Sequence, residues 1–490
     1  MSFPLTRARS KPIILIGIYI LGVTSILFWI TAKYGYDDPY ITYRYASQLA
    51  HGQGFVYNPG EHVLSTTTPL FAMLLALGSF VWPDVPRLAN FIGCLSMAFG
   101  GLSLWLISRV WKQRIVGWAG LCLYPTFTFL LQTIGSETPL YLAFCLWAIA
   151  GYGYKRYRLA AVLTALAVLS RPDGMLIAVI LALHYLLVVR GPIPWGSVGL
   201  FAAILAPWII FSWAYFGSPL PATLAVKQAQ GSMAISQRFA SGFITIAGSY
   251  FKSWMYRTEA ILAVLGLAYL VWRARSFALI LAWTILYFMA YSVLGVSRYF
   301  WYYAPLVPGF LVLVGLGVGG LTEFINGLFA IKANSIVLSK TGSRYLLLAG
   351  ILLLPFILVQ SWNTGQMQNR VDPRVTVYRD IGDWLRLNTP ASAVVGTLEV
   401  GIIGYYAQRP MIDFAGLIQP EIAVELTHSA TYEDAALWAV TRYAPRYLVL
   451  HDGNFPRLEQ GYTADRCQSV KHFIGVDYGY NQNMTIYTCQ

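Results

Sequence analysis

Two adjacent carboxylates, Asp37 and Asp38, follow a run of almost pure hydrocarbon from Pro12 to Ala32. They open the polar, aromatic stretch GYDDPYITYRYASQLAHGQGFVYNPGE between Gly35 and Glu61. One of them suits a cap: Asp38 stands before a helix, Pro39 fits the first helical position, and Gly52 fits the residue past the end. Capping needs a single carboxylate, so Asp37 is left over. A carboxylate at a membrane rim has the chemistry of a general base, accepting a proton from a hydroxyl while its neighbour orients it or shifts its pKa. Asp37 and Asp38 are therefore the candidate catalytic pair. A divalent metal near them is a weaker expectation, because two neighbouring acids do not define a site. The sequence has no C-x-x-C, H-E-x-x-H or phosphate-cradling loop to add to them.

The helix after the acids places Ile41, Tyr45 and Leu49 on one face, with Arg44 and Gln48 on another, the pattern of a helix lying flat on the membrane. Arg44 is expected to pair with an acid or a lipid phosphate and is a candidate substrate contact. Asn58-Pro59-Gly60-Glu61 then reads as a turn. Glu137 precedes Thr138-Pro139, where it suits a helix cap, and it too is a candidate substrate contact.

The elements that must hold these residues are mostly apolar. Of the 490 residues, 57% are hydrophobic and only 11% are charged, against about 25% charged in soluble domains. Pro12 to Ala32 is long enough to span a bilayer and exceeds the apolar core of a signal peptide, so we read it as an uncleaved anchor. Ten further apolar stretches lie near 87–109, 115–133, 136–153, 158–170, 174–190, 196–214, 258–272, 276–296, 303–322 and 345–361. Threaded from a cytoplasmic N-terminus, these put Arg7, Arg9, Lys11, Arg109, Lys112, Arg114, Lys155, Arg156, Arg158, Arg190, Arg273, Arg275, Lys332, Lys340 and Arg344 on one side, with Glu323 as the one acid. The other acids of this part, Asp37, Asp38, Glu61, Asp84, Glu137, Asp173 and Glu259, fall opposite. That asymmetry is the positive-inside pattern, so the net charge of +13 is topological and does not argue for a nucleic-acid partner. Thr68 to Trp82 is apolar but short, and it reads as a helix at the outer interface.

From residue 362 the composition turns soluble, with ten Lys/Arg and thirteen Asp/Glu. Helical patterns at Tyr378–Leu387 and Asp434–Tyr443 alternate with strand patterns at Ala393–Thr397, Pro410–Phe414, Arg446–Leu450 and Met484–Tyr487. The expectation is an exported α/β domain at 362–490 on a membrane domain at 1–361, whose main outer loops are 33–86 and 215–257. Cys467 and Cys489 are the two cysteines of the soluble part; an oxidising compartment permits a disulfide, and spacing alone does not decide it.

The run from Asp37-Asp38-Pro39-Tyr40-Ile41-Thr42-Tyr43-Arg44-Tyr45-Ala46 to Gly52-Gln53-Gly54-Phe55-Val56-Tyr57-Asn58-Pro59-Gly60-Glu61 resembles the polytopic glycosyltransferases of the GT-C fold. It is most similar to the mycobacterial terminal β-(1→2) arabinofuranosyltransferases, and more distantly to protein O-mannosyltransferases and aminoarabinose transferases. The resemblance implies a polyprenyl-phosphate sugar as donor, a glycan, glycolipid or protein as acceptor, and a site at the outer face of the plasma membrane. It also implies that Asp37, the first acid of the pair, is the base. Similar motifs at Gly217-Ser218-Pro219-Leu220-Pro221 with Lys227, at Ser297-Arg298-Tyr299 and at Ser170-Arg171-Pro172-Asp173 make Arg298, Lys227 and Arg171 the candidate grips on the donor phosphate. Tyr299 and Tyr302, in an aromatic run, are candidate sugar contacts or an interfacial belt. The run EVGIIGYYAQRPMIDFAG from Glu399 to Gly416 is similar to the family's exported domain, with Glu399 and Asp413 as acceptor contacts or loop-holding residues. Two readings from other classes stay open: a lipid-linked sugar transporter, and an anchored glycan-binding protein.

Overall fold

The computed structural model describes residues 10–333, 341–369, 371–426 and 431–490. Arg7, Arg9 and Lys340 lie outside them. Eight helices among the described residues are long and apolar enough to cross a membrane, including Pro12–Ile30, Val85–Val110, Trp195–Phe216 and Trp254–Arg273. The three other expected spans are shorter helices: Thr138–Gly153, Tyr157–Ser170 and Arg114–Leu123. The stretch 115–133 breaks around Pro125, which cannot donate to the helix ladder, and resumes only as the short turn Thr128–Leu131. Thr68 to Trp82 yields the expected short helix, Pro69–Ser79.

The C-terminal part is a five-stranded mixed sheet in the order β2-β1-β3-β5-β4. Its strands are β1 (Val395–Thr397), β2 (Met411–Asp413), β3 (Tyr447–His451), β4 (Cys467–Phe473) and β5 (Met484–Cys489). β1, β2 and β3 run parallel, with helices Ile402–Ala407 and Tyr432–Tyr443 between them in sequence, while β5 runs antiparallel to β3 and β4. Four strands fall where the alternation predicts. β4 escapes sequence reading because it is an exposed edge, CQSVKHF, with no apolar face. Its first residue, Cys467, is joined to Cys489 at the end of β5, so the disulfide ties the edge to the sheet.

Helix Pro39–Ala50 forms as expected but does not lie on a lipid surface. Pro39 to Ala46 are all buried, and one hydrophobic cluster runs from Tyr40, Tyr43 and Tyr57 in the first loop to Ile403, Met411 and Leu448 in the soluble domain. Polar groups of the loop reach the same domain. The carboxylate of Asp37 accepts from the amides of Gly401 (3.0 Å) and Ile402 (2.7 Å), at the start of helix Ile402–Ala407. The guanidinium of Arg44 donates to the carbonyls of Tyr57 (2.9 Å) and Arg409 (2.6 Å), and to that of Gly404 near the helix's other end. A negative group thus meets the positive end of the helix and a positive group its negative end. Gly401 and Gly404 face the loop; a Cβ on the first would strike Asp37 and on the second the Tyr57 hydroxyl, so both glycines are required for the approach. Asn58 completes the seam by pairing with both backbone groups of Met411 on the edge strand β2, at 3.0 and 2.9 Å.

Arg44 is therefore a strut between domains and not a substrate contact: it is 3% exposed and its hydrogen bonds go to backbone carbonyls. Replacing it by Met leaves the carbonyls of Tyr57 and Arg409 without this donor, each costing about 1–3 kcal/mol if buried, while that of Gly404 keeps the Gln408 amide. We expect Arg44→Met to lower the melting temperature and to open the chain around Asp372 to limited proteolysis. Wild-type stability and protease resistance in that variant would contradict the strut.

Candidate functional site

A cavity of ≈ 320 Å³ lies between the first loop, helix Thr223–Ser232 and the neighbouring ends of the membrane helices. Its polar wall carries Asp38, Glu137, Arg171, Asp173, Lys227, Tyr291 and Tyr302, with Thr66 to Thr68; its apolar wall carries Met175, Leu176, Leu220, Leu224, Ala290 and Leu294. Such a chamber fits a molecule with a polar head and a hydrocarbon tail.

Asp38 occupies the N-cap position of its helix, yet its side chain makes no capping bond. It turns to Lys227, whose Nζ lies 3.2 Å from Oδ1, and 39% of the Asp38 side chain stays accessible. Lys227 is 8% exposed, and its Nζ also sits 4.0 Å above the Tyr299 ring. Burial pulls the Lys227 pKa down, but Asp38 and Tyr302 outweigh it and hold the ammonium charged. An ammonium has three donors, and Asp38 is the one hydrogen-bond acceptor of Lys227 Nζ among the described residues. The cation therefore keeps donors for an incoming anion.

Arg171 has none to spare. Its Nε bonds Asp173 (3.1 and 3.2 Å), its Nη1 bonds Glu137 and Thr138 (both 3.1 Å), and its Nη2 bonds Asp173 (2.9 Å) and Tyr291 (3.0 Å). All five guanidinium donors are placed. Arg171 holds the wall together, and the expectation that it grips a phosphate is revised to that of a positioning residue. Glu137 does not cap its helix through its side chain either. Burial raises its pKa and Arg171 opposes this.

Arg298 is exposed and bonds Gln237 at 2.8 Å, and it does not line the cavity. Of the two expected phosphate grips Arg298 and Lys227, the cavity wall includes Lys227 alone. Tyr302 lines the cavity; Tyr299 lies behind Lys227, donates to Gln230 at 2.8 Å, and stacks on Trp301 at 4.6 Å. Trp301 in turn lines the cavity and stacks on Tyr36 at 5.6 Å. Sequence reading missed Asp173 as a wall residue, although Arg171-Pro172-Asp173 carries the pair. It also missed the hydroxyl cluster of Thr42, Thr66 and Thr68, within 3.0–3.3 Å of one another, which the Thr66-Thr67-Thr68 run announces.

Asp37 turns the opposite way from Asp38, into the seam with the soluble domain. Burial raises its pKa to about 6, against the pull of the Ile402 and Gly401 amides, and Asp38 pushes in the same direction as burial. Glu399, half-buried across the seam, is likewise raised by burial and by repulsion from Asp37, with Arg374 opposing. Asp413 is fully buried, accepts from the amides of Ala415 (2.8 Å) and Leu417 (2.7 Å), and holds that turn. The carboxylates of Asp37 and Asp38 do not converge on one point in this structure. Asp37 is held by backbone amides and Asp38 by an ammonium, whereas hard cations demand convergent oxygens. No cluster of three or more His, Cys, Asp or Glu side chains suited to a metal occurs among the described residues.

The whole chain superposes on known membrane proteins. Archaeal oligosaccharyltransferase AglB from Archaeoglobus fulgidus, in complex with an inhibitory peptide and a dolichol-phosphate, matches with a TM-score of 0.60 at 14% identity, over 91% of this chain and 70% of that one. ArnT from Cupriavidus metallidurans matches in the apo state with a TM-score of 0.59 at 13% identity, and bound to undecaprenyl phosphate with 0.57 at 15%, each over 98% of both chains. The protein is thus an integral membrane protein of the GT-C fold with a C-terminal domain. Residues 362–487 match a family described as a domain of unknown function, DUF8728. No curated protein sequence matches the chain.

Carboxyl groups raised by folding bind protons more tightly in the folded state than in the unfolded one. Their stabilising effect is complete below the unfolded pKa, near 4, and is lost as pH rises through the folded values. With both Asp37 and Glu399 raised, the melting temperature should fall as pH rises from about 4 towards 8. Glu399→Gln should flatten that slope, and an unchanged slope would contradict the repulsion across the seam.

Proposed function

We propose that the protein is a glycosyltransferase that moves a sugar from a polyprenyl phosphate to a hydroxyl of an acceptor on the outer side of the membrane. The observation that carries this is the cavity lined by polar and apolar side chains together, which includes a buried ammonium with free donors. A polyprenyl-phosphate sugar has the same two-sided chemistry. The tail lies on Leu176, Leu220 and Leu224, the phosphate meets Lys227, and the sugar lies towards Trp301, Tyr302 and the Thr66–Thr68 hydroxyls. The orientation that accompanies this reading has a cytoplasmic N-terminus and an extracytoplasmic soluble domain, from the basic residues gathered at the opposite ends of the helices.

The reaction is direct displacement. The acceptor oxygen bonds to the anomeric carbon, the bond from that carbon to the phosphate oxygen breaks, and its electron pair leaves on the phosphate, where Lys227 stabilises the charge. The acceptor proton passes to a carboxylate. In-line attack puts that base and the leaving group on opposite sides of the carbon. Asp38, in contact with Lys227, stands on the leaving-group side. Asp37, one residue earlier and facing the soluble domain, stands on the other. A carboxyl raised to about 6 is a stronger base than an ordinary aspartate and is still ionised near neutral pH. Asp38 then steadies Lys227 until the phosphate arrives. The resemblance of the first loop makes arabinofuranose the first sugar to offer, with mannose next.

The test supplies purified protein with a panel of polyprenyl-phosphate sugars and oligosaccharide acceptors. Transfer should rise as pH increases through about 6. Asp37→Asn should lower kcat by about 10²–10⁴-fold, while Lys227→Met should weaken donor use. No turnover of any lipid-linked sugar would overturn the enzyme reading. Transfer that survives Asp37→Asn but not Asp38→Asn would move the base to Asp38.

A further inference from the structure

The opposite end of the membrane domain carries a second built site. The turn between helices Val85–Val110 and Arg114–Leu123 brings the exposed Arg109, Lys112 and Arg114 around an open pocket of ≈ 620 Å³, which Trp105, Trp118 and Leu346 also line. The Arg109 guanidinium lies 5.0 Å over the Trp105 ring. None of the three cations pairs with a carboxylate among the described residues. Glu323, the one acid that the charge pattern assigns to this face, is held by the Tyr269 hydroxyl at 2.7 Å.

Below the cations the walls become apolar. Trp118 and Leu346 also line an adjoining slot of ≈ 290 Å³, which continues past Cys122 and Gly350 to Ile357. From Leu346 to Ile357 a helix rises about 16 Å, close to half of a ~30 Å hydrocarbon core. The slot is therefore one leaflet deep. The positive-inside pattern accounts for basic residues at this face, but not for a pocket leading into an apolar slot of that depth.

We propose that this pocket and slot seat one phospholipid with an anionic phosphate headgroup, drawn from the leaflet on the basic face. The phosphate meets Arg109, Lys112 and Arg114, and one acyl chain lies along the slot between helices Arg114–Leu123 and Thr341–Gln366. A zwitterionic lipid presents the same phosphate but adds a cation that the three basic residues repel. A polyprenyl phosphate shares the head, but its tail is longer than one leaflet is deep.

The test is native mass spectrometry of the full-length protein in detergent, titrated with dioleoyl phosphatidylglycerol, dioleoyl phosphatidylcholine and a long-chain polyprenyl phosphate. The expected result is one phosphatidylglycerol retained per chain, about tenfold more tightly than phosphatidylcholine and more tightly than polyprenyl phosphate. Replacing the three cations together by Gln should lower that affinity by about 100-fold, or roughly fivefold per cation. Gly350→Leu tests the slot with the cations intact. A Cβ there meets nothing within 4 Å, and leucine favours a helix over glycine, so the fold is kept while the slot is filled. Equal affinity for the two phospholipids, preference for polyprenyl phosphate, or undiminished phosphatidylglycerol binding by Gly350→Leu would each overturn the proposal.

Discussion

The short helix Ile402–Ala407 is gripped at both ends by the first loop. Asp37 takes the amides at its start, and Arg44 takes carbonyls at and beyond its end. Each charge meets the helix pole of opposite sign, so charge and hydrogen-bond geometry act together. Much of the remaining architecture follows from this grip. It seats the five-stranded sheet against the loop, buries Tyr40 and Tyr43 against Tyr405, and sets the two domains around one apolar core. A membrane-embedded scaffold and a soluble domain become a single unit at the place where chemistry is proposed.

The grip also separates the two aspartates. A side chain engaged with backbone amides cannot also line the cavity, so Asp37 faces the seam while its neighbour turns to Lys227. Consecutive residues thereby face two compartments, one lined by both polar and apolar side chains and one bounded by the soluble domain. In the proposed displacement, that separation sets Lys227 on the leaving-group side and Asp37 beyond the carbon. Burial raises Asp37 and Glu399 together, which makes the seam an electrostatically costly part of the molecule. Active sites are where such cost is commonly found.

Local signals were legible in the sequence and long-range partners were not. Pro39 and Gly52 bracket a helix that forms as read, and the alternation at Tyr447–His451 and Met484–Cys489 marks real strands. Hydrophobic length identified the membrane helices, although Pro125 cut one of them short. The first loop was recognised as special because its residue types are out of place beside lipid. What it binds was hidden: Arg44 and Gly404 lie 360 residues apart in the chain, and no local pattern joins them. For the same reason Arg171 read as a free cation, while Glu137, Asp173 and Tyr291 consume its donors. Arg298 read as a phosphate grip from its neighbours in sequence, yet the backbone carries it to an exposed edge beside Gln237.

The cavity between Asp38 and Leu224 is proposed to take the head and first isoprene units of a polyprenyl-phosphate donor, and photocrosslinking can locate that donor on the chain. A polyprenyl phosphate with a diazirine in its first isoprene unit would be irradiated with the intact protein, and the adducts mapped by peptide mass spectrometry. Labels are expected on Leu176, Leu220 or Leu224, competed away by unlabelled polyprenyl phosphate and reduced by Lys227→Met. Competable labelling confined to other parts of the chain, with these residues unmodified, would contradict that placement.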